Sequence, residues 1–471
     1  MRGAVVCSNQ IAADAGSEVI RHGGNAVDAA ITTALSLCVV DPANCGIGGY
    51  GGFMLIQDSQ EQAPHVIDFN TRVPGNFKPA WLPSKNNNGS SFGGAASVSV
   101  PMVLSGLLQA HKEFGSISFS ELCSSSIAIA KDGFEIGKNL NMALRWAESK
   151  DSQFSESFKS IFAPQGRWLR QGEILVQSDL AHTLEKIQHA SNEYFYTGEF
   201  ALATSKYIQD QGGWLEIESF GNAESKTYSG LQFNYDDCDM YGPPRRTSGY
   251  GVVCDALNFL AESDEDFFNT EDSYIHKVSE SLRIGWKKKN SEFINANIAS
   301  QHTSHFCVTD ENGMMVSCTF THGPLWFGSG MMTPETGVIL NCAANLFRQE
   351  ARSREWLCIT NLCPNIMNSK DGSRLACGAP GGSRIPAIVL QILLEMTKGG
   401  GDLSKAINKK RVSVSLNGDL ELEDANLVQH YQAHRIFENE YYGPSSAILR
   451  KNDGEILIGI DDRFETGVAL I

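Results

Sequence analysis

Two short runs of alternating residues, SHFCVTD and MMVSCTF, flank Asn312-Gly313 in the second half of this chain. Asn-Gly between alternating strands is a strong hairpin signal, so the segment from Ser304 to Phe320 predicts an antiparallel β-hairpin with a turn at Asn312-Gly313. From His302 onward the character of the chain thus changes to strands.

Helical patterns precede it. The opening AADAGSEVIRHGGNAVDAAITTALSLCVV predicts a helix over 12–21, a stop at Gly23-Gly24 and a second helix from Ala26. CGIGGYGGFMLIQD then predicts a glycine-rich turn, a strand over 53–57 and a second strand over 65–69. Helical periodicity dominates 103–149 and 178–211, with a connecting loop at 155–174, and another helix follows GPPRRTSGYG. Beyond the hairpin, strands are expected at 338–340, around SRLACGA, at 419–423 and at 456–460, with a helix over 387–396. Helices flanking strands at both ends of the chain indicate an α/β protein with a mixed sheet sandwich covered by helices.

Length and composition limit the function classes. At 471 residues the chain suits two or three domains or one large layered one. Lys+Arg 38 against Asp+Glu 54 gives a net charge of -16, which opposes sequence-independent binding to nucleic acid or to an anionic membrane. The 12 cysteines include no metal-like CxxC pair, and several lie in apolar runs, as in ALSLCVV, where a thiol packs as a small hydrophobe. There is no secretory-type leader and no run long and apolar enough to span a bilayer, so the chain as given is expected to be soluble and untargeted.

Thr303 opens the hairpin. Taken alone, a threonine in a strand is ordinary, because β-branched residues favour strands. Its context is specific. Thr303-Ser304-His305, then Phe327-Gly328-Ser329-Gly330 and Gly337-Val338-Ile339-Leu340-Asn341, follow Gly23-Gly24-Asn25-Ala26-Val27-Asp28, Gly46-Ile47-Gly48-Gly49, the 179–184 motif and Gly242-Pro243-Pro244. Gly378-Ala379-Pro380-Gly381-Gly382-Ser383-Arg384-Ile385 completes the series. In this order the motifs resemble those of the γ-glutamyltransferase (glutathione hydrolase) family of N-terminal-nucleophile hydrolases.

That resemblance implies an αββα sandwich, with a large-subunit-like segment 1–302 and a small-subunit-like segment 303–471 forming one interwoven domain after cleavage at 302/303. It implies that Thr303 attacks the carbonyl of His302, is freed as a new N-terminus, and then attacks γ-glutamyl amides such as glutathione. The liberated α-amino group, with an ordinary pKa of about 7.7 to 8.0, serves as base to its own hydroxyl. Gly381 and Gly382 match the oxyanion pair, where glycine lets backbone N–H groups approach the substrate. His305 is expected to flank the site, and Arg384 to serve the fold of its loop. No cofactor or metal is implied; the partners are the substrate and the chain's own cleaved fragment. Family members are commonly exported or membrane-anchored, which places this chain in no compartment by itself.

The specificity positions depart from the family pattern. The family's substrate-carboxylate arginine falls on Asn70, with Arg72 two residues further along the same side of an extended segment. Its amine-binding aspartate becomes Leu346, leaving Asn345 as the neighbouring polar group, and a substrate ammonium against leucine costs several kcal/mol. A Ser-Ser pair becomes Thr360-Asn361, and the asparagine after Thr321 becomes Gly323. The connection from the helix near Lys289 into Thr303 is also short, which bears on the geometry of the 302–303 bond. The predicted substrate-binding set is thus Arg72, Thr321, Asn345, Thr360 and Asn361. Two alternatives to γ-glutamyl chemistry stand beside it: another acyl amide as substrate, or an inactive homologue that keeps the fold as a binding protein.

Overall fold

Strand alternation sorts the side chains of the central hairpin onto two faces. The computed structural model describes residues 3–74, 77–81, 93–262, 267–294, 302–435 and 444–471. In it Phe306 and Val308 join a core cluster with the helix Ala26–Val40, whereas Cys307 and Met315 join a second cluster with Leu375, Ala376 and Cys377. The hairpin is the middle of a seven-stranded sheet in the order Gly467–Leu470, Ala4–Cys7, Ser304–Thr309, Met315–Thr321, Gly51–Gln57, His65–Asp68, Lys226–Ser229. All neighbours are antiparallel.

A six-stranded antiparallel sheet packs against it, in the order Ile456–Gly459, Ser446–Arg450, Arg374–Gly378, Asn365–Ser369, Cys238–Gly242, Leu231–Tyr235. Hydrogen bonds cross the interface: Ser317 Oγ donates to Cys377 O at 3.0 Å, and the Cys307 thiol to Ser446 O at 3.6 Å. Helices Tyr250–Ala261, Glu271–Ser291 and Ile385–Thr397 cover the outer face of this second sheet, and Gln10–Arg21 and Ala26–Val40 cover that of the first. Helix, sheet, sheet, helix is the αββα order. Both sheets draw strands from before and after Thr303.

Local chemistry sets the ends of these elements. Helix Ala26–Val40 begins at a capping box in which Asn25 accepts from Val27 N and Asp28 N while Asp28 accepts from Asn25 N. It is buried along its whole length, as expected of a helix apolar all round. Of the twelve cysteines eleven are buried and Cys238 is partly so, and none is bridged.

Several local expectations are corrected. Residues 338–340 form no strand: Leu340 N bonds Met331 O and Ser329 N bonds Leu340 O, and this loop keeps only one bridge, Met332 to Ile339. The connecting loop at 155–174 contains the helix Glu156–Phe162, capped by Ser155 and held by Phe158 and Phe162, whose rings stack one turn apart. That helix is too short for periodicity to declare it. Strands Ala4–Cys7, Lys226–Ser229, Leu231–Tyr235 and Cys238–Gly242 were also not predicted.

Candidate active site

The register Ser304 opposite Phe320 continues to set Thr303 opposite Thr321 at the open end of the hairpin. Thr303 is 1 % exposed, and its hydroxyl has no hydrogen-bond partner among the described residues. Thr321 Oγ1 donates to the carbonyl oxygen of His302 at 2.7 Å. Gly323 N donates in turn to Thr321 Oγ1 at 2.9 Å, which occupies a lone pair and leaves the hydroxyl proton for His302. The carbonyl that Thr303 would attack is therefore already polarised by a fixed donor.

His302 is held from its other side. Its ring stacks on Trp326 with centroids 4.4 Å apart, and burial pushes its pKa down to about 3, so the imidazole is neutral. His305 faces the second sheet, with Nδ1 2.8 Å from Thr319 Oγ1 and Nε2 3.3 Å from Cys307 Sγ. Burial likewise lowers its pKa to about 3. A neutral imidazole committed to these neighbours flanks the site.

Ser304 points the opposite way. Its hydroxyl lies 3.2 Å from Ser8 Oγ, which donates to Asp41 Oδ2 at 3.0 Å, while Asn44 Nδ2 reaches Asp41 Oδ1 at 2.7 Å. Burial raises the Asp41 carboxyl to about 7. This network anchors the strand immediately below Thr303. Sequence reasoning missed it, since Ser8 and Asp41 carry no motif.

Gly381 and Gly382 reach the same end of the sandwich. Arg374 bonds Gly313 O at the hairpin turn, and Gly378 lies against the His305 ring, so the strand Arg374–Gly378 runs towards Thr303. A Cβ at Gly378 would come 2.3 Å from His305 Cε1, which only glycine avoids. The loop that leaves this strand turns at Gly381 with φ 123° and Gly382 with φ 59°, backbone that a side chain would strain. Arg384, next along, pairs with Glu421 at 3.1 Å and so holds the loop.

Thr360 and Asn361 precede the strand Asn365–Ser369, whose Asn365 pairs with Cys377, and their segment bonds the 247–249 turn through Thr360 N to Thr247 O at 2.8 Å and Gly249 N to Leu362 O at 3.0 Å. Both are buried. The segment with Asn70 packs on Gly51, the residue paired with Thr321. Asn70, buried, spends its amide on Gly52 O and Asp68 Oδ1, as a structural residue does. Arg72 is half-exposed on a cavity of about 310 Å³ that Glu216 and Glu218 also line, and both its terminal nitrogens lie 3.3 Å from Asp68 Oδ2. No hydrogen bond or ion pair joins Arg72 to Thr303 or Thr321 among the described residues. Asn345 donates to Cys342 O at 3.0 Å. Leu346, 1 % exposed, sits in an apolar cluster with Tyr50, Trp214, Phe347, Cys358 and Ile359.

The family model described as gamma-glutamyltranspeptidase matches residues 12–297 and 285–470. The chain belongs to this family. Among relatives, it is 30% identical over 511 residues to the capsule biosynthesis protein CapD proenzyme of Bacillus anthracis, covering 98% of this chain and 89% of that protein. It is 27% identical to the glutathione hydrolase proenzyme of Bacillus subtilis, over 90% of this chain and 82% of that one. A cephalosporin acylase from Bacillus halodurans superposes with a TM-score of 0.86 at 21% identity, covering 99% and 95% of the two chains, a likeness of fold. No helix among the described residues is long and apolar enough to cross a membrane.

Proposed function

We propose that this chain is a self-processing γ-glutamyl hydrolase or transferase that cuts itself at 302/303 and then uses Thr303 as its nucleophile. The observation that carries the reading is the Thr321–His302 hydrogen bond beside a buried, unengaged Thr303 hydroxyl. In the first step Thr303 Oγ1 attacks the His302 carbonyl carbon, the 302–303 C–N bond breaks, and the nitrogen takes the hydroxyl proton to become the α-amino group of Thr303. Thr321 donates to the oxygen on which negative charge develops. Water then hydrolyses the ester, leaving a carboxylate on His302 and two fragments, 1–302 and 303–471, that remain associated through sheets sharing strands from both.

In the second step the α-amine takes the Thr303 hydroxyl proton, the alkoxide attacks the acyl carbonyl of a γ-glutamyl amide such as glutathione, and the amine leaves with that proton. Gly381 and Gly382 would donate to the oxyanion, and water or an acceptor amine resolves the acyl-enzyme. Arg72, Thr321, Asn345, Thr360 and Asn361 are the candidates for holding the acyl group. Intact mass spectrometry tests the reading: wild-type protein should give two fragments meeting at His302/Thr303, and Thr303→Ala one uncut chain. An uncut wild-type chain overturns it and leaves the binding-protein alternative.

Leu346 favours a second reading of the substrate alone. Its burial in an apolar cluster offers no partner to an α-ammonium, so an acyl amide that lacks this group would bind without leaving a charge unpaired. Initial rates on L-γ-glutamyl-p-nitroanilide and glutaryl-p-nitroanilide separate the two.

A further inference from the structure

Asp41 is a carboxylate in an unfavourable place. It caps the C-terminal end of the helix Ala26–Val40, where the helix dipole is negative, and the last turn of that helix carries no basic residue. The residue is mostly buried, and its neighbours are neutral donors: Ser8 Oγ at 3.0 Å and Asn44 Nδ2 at 2.7 Å. No cation lies within ion-pair distance of it among the described residues. Holding a carboxylate there is costly unless a counter-charge arrives.

The hydroxyls beside it have a direction. An ionised carboxylate only accepts, so Ser8 spends its one proton on Asp41 Oδ2, and the 3.2 Å contact between Ser8 Oγ and Ser304 Oγ is then made with the Ser304 proton. The buried Ser304 oxygen keeps its lone pairs for a donor. The residue before Ser304 is Thr303. In the uncut chain its nitrogen is a neutral amide; cleavage at 302/303 would turn that nitrogen into an α-amine, charged below about pH 8. The missing cation is thus made one residue from the hydroxyls that end on Asp41.

We propose that Asp41 is a positioning residue that, through Ser8 and Ser304, holds the α-ammonium created on Thr303 by cleavage and so sets the pH at which that amine is free to act as base. The inference rests on the reaction proposed above, which supplies the amine. Asp41 acts through the two hydroxyls and not on the substrate. An opposite charge nearby favours the protonated form of an amine, so the carboxylate moves the titration of the Thr303 nitrogen to higher pH.

The other titratable groups around Asp41 neither supply that charge nor titrate with the amine. Burial raises the Cys7 thiol to about 12 and pushes those of Cys38 and Cys45 up as well. The His322 imidazole, which faces the carbonyls of Pro42 and Cys45, is lowered by burial to about 4 and stays neutral. Asp14, beyond Cys7, is exposed and accepts from Gln10 Nε2 at 2.8 Å. Beside Thr303, burial holds His302 and His305 neutral. Asp41 itself, raised by burial to about 7, is ionised where the amine titrates. The carboxylate that cleavage leaves on His302 is common to all the proteins compared below.

The test follows kcat/KM for L-γ-glutamyl-p-nitroanilide against pH. Asp41→Asn should move the midpoint of the acid limb down by about half to one pH unit, Ser304→Ala should move it the same way, and Asp41→Glu should keep the wild-type midpoint. Asp41→Asn is expected to fold, because Asn44 Oδ1 has no partner among the described residues and a turn of that amide lets it accept from the introduced N–H. Carbamylation of the Thr303 nitrogen by cyanate, read by mass spectrometry of the N-terminal peptide of the 303–471 fragment, reports the same amine without turnover, and its midpoint should move alike. A rate loss that is uniform with pH, or an unmoved midpoint in Asp41→Asn or Ser304→Ala, overturns the proposal. Intact mass separates the two failures: an uncut wild-type chain overturns the reaction and this inference together, whereas two fragments with unmoved midpoints overturn this inference alone. Should the cut protein leave the anilide intact, the carbamylation midpoints decide, and equal values for wild type and Asp41→Asn overturn the role of Asp41.

Discussion

Thr321 and His302 are joined by a 2.7 Å hydrogen bond from hydroxyl to carbonyl, across the two strands whose open end presents Thr303. The bond is directional because the Gly323 amide occupies the other side of the same hydroxyl. One short contact thus places a donor on the oxygen that would become negative in the proposed attack by Thr303. Gly323 itself takes a φ of 129°, and a Cβ there would come 2.7 Å from Cys342 Sγ.

Removal of that donor should slow self-cleavage without blocking folding. Thr321→Val keeps the shape and loses the proton, and the rate of appearance of the two fragments should fall by about 10²- to 10³-fold, the usual cost of one oxyanion donor. Thr321→Ser should cleave close to the wild-type rate. Gel densitometry of freshly expressed protein over time reads the rates, and equal rates for Thr321→Val and wild type would remove Thr321 from the step.

Asp41 predicts a pH dependence of stability. Its folded pKa of about 7 lies above the ordinary carboxylate value of 3.8, so between these values the folded state binds the extra proton. Stability from this group is therefore full below about pH 4 and is lost as pH rises towards 7. Asp41→Asn removes the ionisable group, and the wild type should lose on the order of 2 kcal/mol relative to the variant between about pH 5 and about pH 8. Urea denaturation at the two pH values measures it; parallel changes in both proteins would refute the assignment.

Leu346 controls the ammonium preference if the acyl group lies against its cluster. Leu346→Asp places a carboxylate there, and the ratio of γ-glutamyl to glutaryl anilide cleavage should rise about tenfold. Because the ratio concerns folded enzyme only, it survives the loss of stability that an acid in an apolar cluster brings. An unchanged ratio would place the acyl group elsewhere.

Close approach of Gly378 to His305 is testable by a double-mutant cycle. Gly378→Ala drives a methyl into the ring and should cost about 1–3 kcal/mol. Adding His305→Ala should recover part of that loss, since the clashing ring is gone. Thermal unfolding of the four proteins gives the coupling, and simple additivity would show that the two residues do not press on one another.

Much of the frame was legible because its signals are local. Asn312-Gly313 specifies its own turn, the Asn25–Asp28 capping box specifies a helix start, and the positive-φ glycines at 381 and 382 mark a loop that no other residue suits. Ordered motifs then indicated the family and its layered fold. The short elements were not legible: Glu156–Phe162 is stabilised by Phe327 from far along the chain, and the 338–340 segment closes on 329–331 instead of joining a sheet.

The sequence by itself determined the hairpin and the threonine at its entry, because both are matters of residue type and spacing. Only tertiary structure decided which groups surround Thr303. Thr321 bonds His302 across a strand pair, Ser8 and Asp41, 33 residues apart in sequence, brace Ser304, and Lys289 reaches Asn361 over a separation of 72. Those partners are fixed by sheet register and helix packing, which sum many weak contacts over the whole sandwich and leave no local pattern in the chain.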